Sequence, residues 1–329
     1  MKILSISDEF AFIKDIQPER LFHAQKVVGI GDDAAIIGVE EGFEKVVCVD
    51  TMVEGVHFTR DTMKPFDIGY KALAANISDV AAMGGYPLYY LVSITIPKGW
   101  SQEELRAIYD GMRSLGDQYE MDLIGGDTTS GKTMVLSVFV IGKVEKGKRL
   151  LRSHAKEGDV VFVSGTLGDS AAGLDILLHN EGASSEHPSL IEYHQQPKPQ
   201  VTLGRMLSKF ERVSLNDVSD GLASELLEIA EASQVDILIN KETIPISEDL
   251  QNYRTEKAFQ WAMTGGEDFE LVGSIPETDW AKLQEECLTA GIKITKIGTV
   301  SSGEGRAFLK SHEGVHELKK EGYNHFNRG

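Results

Sequence analysis

The sequence predicts two units in tandem, an amino-terminal α/β domain over residues 1–150 and a carboxy-terminal α+β domain over residues 151–329. Three observations carry this. The 329 residues exceed what one hydrophobic core comfortably fills. Apolar runs of strand period and helix period alternate through the first half. A polar, basic stretch, EKGKRLLRSHAKEGD (145–159), then reads as a linker between the halves.

After an amphipathic opening segment, KVVCVD (Lys45 to Asp50) reads as a buried strand. Pro65 to Met83 reads as a helix with Ile68, Leu73, Ile77, Val80 and Ala81 inward, and it sets Asn76 and Asp79 on one face. Leu88 to Ile96 is rich in strand formers and ends at Pro97. Ser101 and Glu104 then form a capping box that opens a helix with Leu105, Ile108, Met112 and Leu115 inward. A strand over Met121 to Ile124 runs into GGDTT, read as a loop, and Thr133 to Val144 is a further strand. In the second half the expected strands are Val160 to Gly165, Phe269 to Ser274 and Ile292 to Val300. The expected helices are Asp169 to His179, Pro199 to Phe210, Leu222 to Gln234 and Asp279 to Ala290. Asn180 to Pro199 reads as a surface loop of no particular function.

Six acidic punctuations fall among these elements: GIGDD (Gly29 to Asp33), VDT (Val49 to Thr51), Ser78 with Asp79, GGDTT (Gly125 to Thr129), DVSDG (Asp217 to Gly221) and GGED (Gly265 to Asp268). Most abut apolar runs, so the carboxylates are expected where strands or helices end. Gathered carboxylates repel unless cations sit between them, and oxygen donors beside glycine-rich backbone suit hard Mg²⁺ bridging phosphates. The pattern points to a magnesium-dependent nucleotide enzyme.

Two local matches compete with that reading. GDTTSGKT (Gly126 to Thr133) fits the P-loop expression, but a P-loop must open a helix, and the following TMVLSVFVIG is strand-forming. DVSDGLASELLE has the glycine of an EF-hand loop, yet counting from Asn216 puts Val218 and Leu227 where coordinating oxygens belong. The plain alternative for Asp217, Ser219 and Asp220 is capping of the helix at Leu222. No GxSxG elbow, HRD or DFG set or HExxH is present, which leaves metal and positioning rather than a covalent nucleophile or general base.

With 33 basic and 51 acidic residues the net charge is −18, which argues against nucleic acid or anionic membrane as a partner. Cys48 and Cys287 are the two cysteines and lack CxxC spacing, so a disulfide framework or structural zinc is not expected. No signal peptide core or membrane span stands out, and a cytoplasmic location is expected.

The ordered set GIGDDAA, VDTMVEGVHF, YKALAANISDVAAMGG, LIGGDTT, LLRSHAKEGD, VSGTLGDSAAGL, NDVSDGLASEL, GGEDFEL and GYNHF resembles the thiamine-monophosphate kinases and spans Gly29 to Phe326. VEGVHF and GYNHF separate these kinases from their superfamily relatives. The resemblance implies the two-domain aminoimidazole ribonucleotide synthetase-like fold, with amino-terminal sheets pairing across a homodimer. It implies ATP-dependent phosphorylation of thiamine monophosphate to thiamine diphosphate by direct in-line transfer with several Mg²⁺ ions.

By motif position it implies Asp33, Asp50, Asp79, Asp127, Asp217 and Asp220 as metal ligands, with Asp32 a close neighbour. Cys48 and Val49 depart from the Ser or Thr of many relatives and would reach metal only through backbone carbonyls. Tyr109, Gly126, Asp127, Arg152 and Ser219 would contact ATP, and His57, Glu267 and Tyr323 would meet thiamine monophosphate, an aromatic ring suiting its cationic heterocycle. The alternatives are another ATP-dependent enzyme of the superfamily or a non-catalytic Mg·ATP sensor. Selenophosphate synthetases differ in a reactive amino-terminal Cys or selenocysteine, and hydrogenase maturation proteins in a Cys-bearing tail.

Overall fold

The computed structural model describes residues 9–23, 27–28, 30, 35–179 and 181–320. The chain divides into two units, residues 1–80 with 86–146, and residues 81–85 with 147–329.

The first unit contains α1 (Glu9–Ile16), β1 (Val27–Val28), β2 (Ile36–Ile37), β3 (Phe43–Val53), α2 (Pro65–Ala82), β4 (Tyr86–Pro97), α3 (Gln102–Gln118), β5 (Asp122–Gly131) and β6 (Val135–Glu145). Four of the strands form a sheet in the order β3-β6-β4-β5. β4 and β5 run parallel with α3 as their crossover, as parallel neighbours require, and the other pairings are antiparallel. One sheet face carries Leu136, Val138, Val140, Val92 and Ile94, and these are buried together with Ile68, Leu73, Ile77 and Val80 of α2. The α3 start has both bonds of the capping box: the Ser101 backbone N–H donates to Glu104 at 2.7 Å and the Glu104 N–H to the Ser101 hydroxyl at 3.2 Å. Leu105, Ile108, Met112 and Leu115 are buried as expected. α2 and α3 touch backbone to backbone, since a Cβ at Gly69 would lie 1.8 Å from the Ile108 carbonyl and one at Gly111 1.9 Å from that of Phe66.

The second unit contains β7 (Asp159–Ser164), α4 (Asp169–His179), α5 (Pro188–Gln195), α6 (Val201–Leu207), β8 (Ser214–Asp217), α7 (Leu222–Ser233), β9 (Val235–Asn240), α8 (Glu248–Thr264), β10 (Leu271–Pro276), α9 (Glu277–Thr289), β11 (Ile294–Ser302), β12 (Ala307–Ser311) and β13 (Gly314–Glu317). Its seven strands lie in the order β13-β12-β9-β11-β7-β10-β8, with β12 and β9 parallel and the rest antiparallel. One core joins Val161, Val163, Leu222, Leu226 and Ile237, and another joins Phe162, Leu203, Leu207, Leu215 and Leu283. The segment 81–85 belongs to this second core: Ala82 is buried in it, and the Gly84 carbonyl accepts from the Arg205 guanidinium. A Cβ at Gly204 would lie 2.2 Å from the Ala81 carbonyl, so α6 packs directly on this segment.

Five expectations change. KVVCVD is a strand but not a buried one, since β3 lies at the sheet edge with Val47 and Val49 exposed. GGDTT is not a loop but part of β5, because its backbone continues the parallel ladder with β4 as far as Gly131. Asn180 to Pro199 holds α5, whose Leu190 and His194 are buried. The stretch 145–159 is packed rather than a free linker, with Leu150 and Ala155 in the two cores. The acidic punctuations do not all lie at element ends: Asp50, Asp79 and Asp127 stand inside β3, α2 and β5.

Candidate active site

In the first unit, β3 is an edge strand, so alternate backbone carbonyls face away from β6. The register aligns Asp50 with Val138, and Val138 with Val92, and it aligns Asp127 with Ser93 and Ser137. Because side chains alternate across a sheet, Asp50 shares the helix-facing side with Cys48, while Asp127 belongs to the opposite side on the other edge strand. Both aspartates are exposed. The Cys48 thiol donates to the Asn76 carbonyl of α2 at 3.3 Å. Burial raises its pKa, and the charges of Asp79 and Asp50 raise it further, so it stays a protonated thiol beside these acids. Val49 projects to solvent, 50% exposed. Any metal contact at these two positions falls to main-chain oxygen.

Gly126 fits β5 against β4 because it has no side chain: a Cβ there would lie 2.0 Å from the Val92 carbonyl. GDTTSGKT continues through a bend into β6 with no helix, so the P-loop match fails on structure. His57 sits in the turn after β3, where its Nδ1 accepts the Val53 N–H at 3.0 Å, which makes Nε2 the ring donor of the neutral imidazole. Tyr109 is buried in α3, edge-on to Phe12 at 5.8 Å, and lines a cavity of about 320 Å³ with Arg20, Phe22, Arg113 and Asp122. Burial raises its hydroxyl pKa.

In the second unit, two loops are tied together through their main chains. The N–H groups of Glu267 and Phe269 donate to the carbonyls of Ser219 and Val218 at 2.7 and 2.9 Å, and the Val218 N–H donates to the Glu270 carbonyl at 2.7 Å. Glu267 and Phe269 both hold positive φ, 68° and 50°, a conformation that non-glycine residues adopt where the surroundings enforce it. Gly266 admits the Ser219 carbonyl, which would be 2.7 Å from a Cβ there. Asp217 ends β8 and is buried, while Ser219 and Asp220 are half-buried. These residues do not cap α7 with their side chains: its N-cap is Gly221, at φ 106°, with no side-chain cap bond.

Arg152, half-exposed, donates from Nε to Asn216 at 2.9 Å and pairs with Glu228 at 3.1 Å. Buried Glu225 accepts from the Asn216 amide and the Asp220 N–H. Burial, then the Asp217 and Glu228 carboxylates, push the Glu225 pKa up to about 8. Behind Glu267, its carboxylate lies 3.8 Å from His194 Nδ1, which also meets the Ser170 hydroxyl at 3.2 Å. Asp268 accepts the Gly168 and Ser170 N–H groups at 2.7 and 3.2 Å, and burial holds its pKa well above the usual range. Burial likewise raises Glu270 to about 7.

Asp32, Asp33 and Tyr323 lie outside the described residues. Among the described residues, no three His, Cys, Asp or Glu side chains converge closely enough to hold a metal ion. The side chains expected as donors are of a kind that suits Mg²⁺: Asp50, Asp79, Asp127, Asp217 and Asp220 offer only carboxylate oxygen, and the Cys48 thiol beside Asp50 and Asp79 is kept protonated. Motif position gave no role to Asn216, Glu225, Glu228 or His194. The one available signal was Glu225 and Glu228 standing three apart on a helix whose neighbours are apolar.

The fold and its acidic loops define a member of the AIR synthase-related proteins. The model of the AIR synthase related protein N-terminal domain matches residues 31–144, and that of the C-terminal domain matches residues 156–310. The chain is 49% identical to thiamine-monophosphate kinase of Bacillus subtilis (strain 168), over 97% of this chain and 99% of that one. A crystal structure of thiamine-monophosphate kinase from Stenotrophomonas maltophilia K279a matches with a TM-score of 0.82 and 35% identity, covering 93% of this chain and 96% of that one. AaThiL complexed with AMPPCP and TMP matches with a TM-score of 0.78 and 29% identity, covering 97% of each chain. The chain belongs to the thiamine-monophosphate kinase family. No helix among the described residues is long and apolar enough to cross a membrane.

Proposed function

We propose that this protein transfers the terminal phosphoryl group of ATP to the phosphate of thiamine monophosphate, giving thiamine diphosphate and ADP. The observation that carries the reading is 49% identity to a thiamine-monophosphate kinase over nearly the whole chain. A structural neighbour complexed with AMPPCP and TMP supports the same substrate pair.

An oxygen of the acceptor phosphate forms the new P–O bond, and the bond between the γ-phosphorus and the β–γ bridging oxygen breaks. The second ionisation of a phosphate monoester lies near pKa ~6, so the acceptor is largely anionic at neutral pH and no general base is required. The barrier is repulsion between two polyanions. When bound, Mg²⁺ neutralises that charge and aligns the phosphates.

Asp50, Asp79, Asp127, Asp217 and Asp220, with Asp33, would hold the metal, and main-chain carbonyls would serve at Cys48 and Val49. Arg152 would present its planar fork to phosphate, beside Gly126, Asp127 and Ser219, and Tyr109 would contribute to nucleotide binding. His57 would donate from Nε2 to the substrate, while Glu267 and Tyr323 would meet the cationic ring system. A homodimer fits the first unit's exposed apolar sheet face, where Val47 is 67% exposed, Val49 50% and Phe139 41%. The acidic balance and cysteine usage of the chain support a cytoplasmic location without nucleic-acid or membrane partners.

The test is a chromatographic assay with Mg·ATP and thiamine monophosphate, using Asp50→Asn and EDTA as controls. Thiamine diphosphate and ADP should form in equal amounts. Asp50→Asn should lower turnover about 100- to 1,000-fold, the scale of losing one charge-stabilising group, and EDTA should abolish it. ADP without thiamine diphosphate would move the acceptor to another substrate. Nucleotide binding without turnover would favour a sensor.

A further inference from the structure

We propose that Asn216 and Glu225 are positioning residues that set the orientation of Arg152 and the conformation of the Ser219–Asp220 loop for nucleotide binding. The inference rests on the nucleotide site proposed above.

The four groups form a chain of hydrogen bonds with one allowed polarity. Arg152 Nε donates to Asn216 Oδ1 at 2.9 Å, and Asn216 Nδ2 donates to Glu225 Oε2. Glu225 Oε1 accepts from the Asp220 N–H at 3.1 Å and from the Ser219 hydroxyl at 3.5 Å. A carboxamide has one accepting end and one donating end, and a guanidinium can only donate, so Arg152 holds Asn216 Oδ1 toward itself and turns Nδ2 toward Glu225. A second branch steadies the same guanidinium: Arg152 pairs with Glu228 at 3.1 Å, and Lys320 holds Glu228 at 2.9 Å.

A purely structural part for Glu225 would be to close the start of α7, and its Oε1 does reach the loop there. Its Oε2 points the other way, to Asn216 and through it to Arg152. Both Asn216 and Glu225 are 2% exposed, whereas half of the Arg152 side chain is open to solvent. Buried polar groups thus aim an exposed cation, which is the arrangement that pre-orients a phosphate ligand.

The polarity can be reversed by exchange. Glu225→Gln can turn an amide donor toward the Asn216 donor, and Asn216→Asp sets two carboxyl groups face to face, which forces one of them to hold a proton and replaces the amide donor. The double variant N216D/E225Q restores an acceptor for Arg152 and an acceptor for the new amide. Calorimetric titration of the full chain with Mg²⁺ and the ATP analogue AMPPCP should show each single variant binding about 10- to 100-fold more weakly, the scale of a lost charge-assisted hydrogen bond. The KM for thiamine monophosphate should stay within about two-fold of wild type, and the double variant should recover nucleotide affinity to within about three-fold.

Singles that bind like wild type, or a double variant weaker than either single, would overturn the inference while wild-type binding keeps the site reading. So would an equal rise in both KM values with a lowered melting temperature, the mark of a merely structural role. A wild-type chain that binds no nucleotide would overturn both. If E225Q does not fold, N216D against the double variant carries the same comparison.

Discussion

The two units carry the proposed site residues in opposite ways. In the first, Asp50, Asp79 and Asp127 stand on regular elements, and their positions follow from ladder register and helix pitch. In the second, Ser219, Asp220 and Glu267 stand on irregular backbone, held by loop-to-loop hydrogen bonds, positive φ angles and the buried acids Glu225, Asp268 and Glu270. A regular element places a side chain as a by-product of its own hydrogen bonding. A loop needs a dedicated support for every residue it places.

The sharpest way to break this contrast is Gly266→Ala. Its Cβ would lie 2.7 Å from the Ser219 carbonyl, so the two loops must part and move Ser219 and Glu267 together. We expect kcat/KM to fall about 100-fold, the scale of a misplacement near 1 Å, with circular dichroism unchanged. Retained activity would show that the loops are not what positions these groups.

The next effect falls on stability, not on turnover. Glu270 has its folded pKa raised to about 7, above the unfolded carboxylate value, so the folded state keeps a proton that the unfolded state has lost between roughly pH 4.5 and 7. Stability therefore falls as pH rises through that window and levels off above it, by a change on the order of 3 kcal/mol from this residue. Glu270→Gln should flatten that part of the melting-temperature profile between pH 5 and 8. A variant profile parallel to wild type would remove Glu270 as the cause.

The smallest effect belongs to Lys132, exposed in the bend after β5. Lys132→Ala should change turnover by about two-fold or less, as exposed substitutions away from a site do. A loss of several orders of magnitude would restore the phosphate-loop reading of GDTTSGKT.

Elements with a strong period or a named cap were legible in the sequence. α3 shows both its capping box and its inward stripe, and the long β-branched runs of β3 and β6 read as strands. GGDTT looked like a loop because glycine pairs mark turns, yet Gly126 serves to bring two strand backbones together. α5 was hidden because Leu190 and His194 are its only buried residues, too few to set a period against polar neighbours. α8, largely polar and broken at Arg254, offers no clear stripe either. Motifs led to the candidate residues, but not to Asn216 and Glu225, whose use depends on a strand end meeting a helix start.

Residues 81–85 leave the first unit's chain order and pack into the second unit's core before the chain returns to form β4. They act as a tethered peptide plug whose socket is made by residues translated much later. A gene cut at residue 147 would encode a carboxy-terminal product lacking its own plug, with a gap in the core that Ala82 shares with Leu203 and Leu207. The two halves are therefore not interchangeable cassettes, and recombination between relatives at this seam must carry the plug and its socket together.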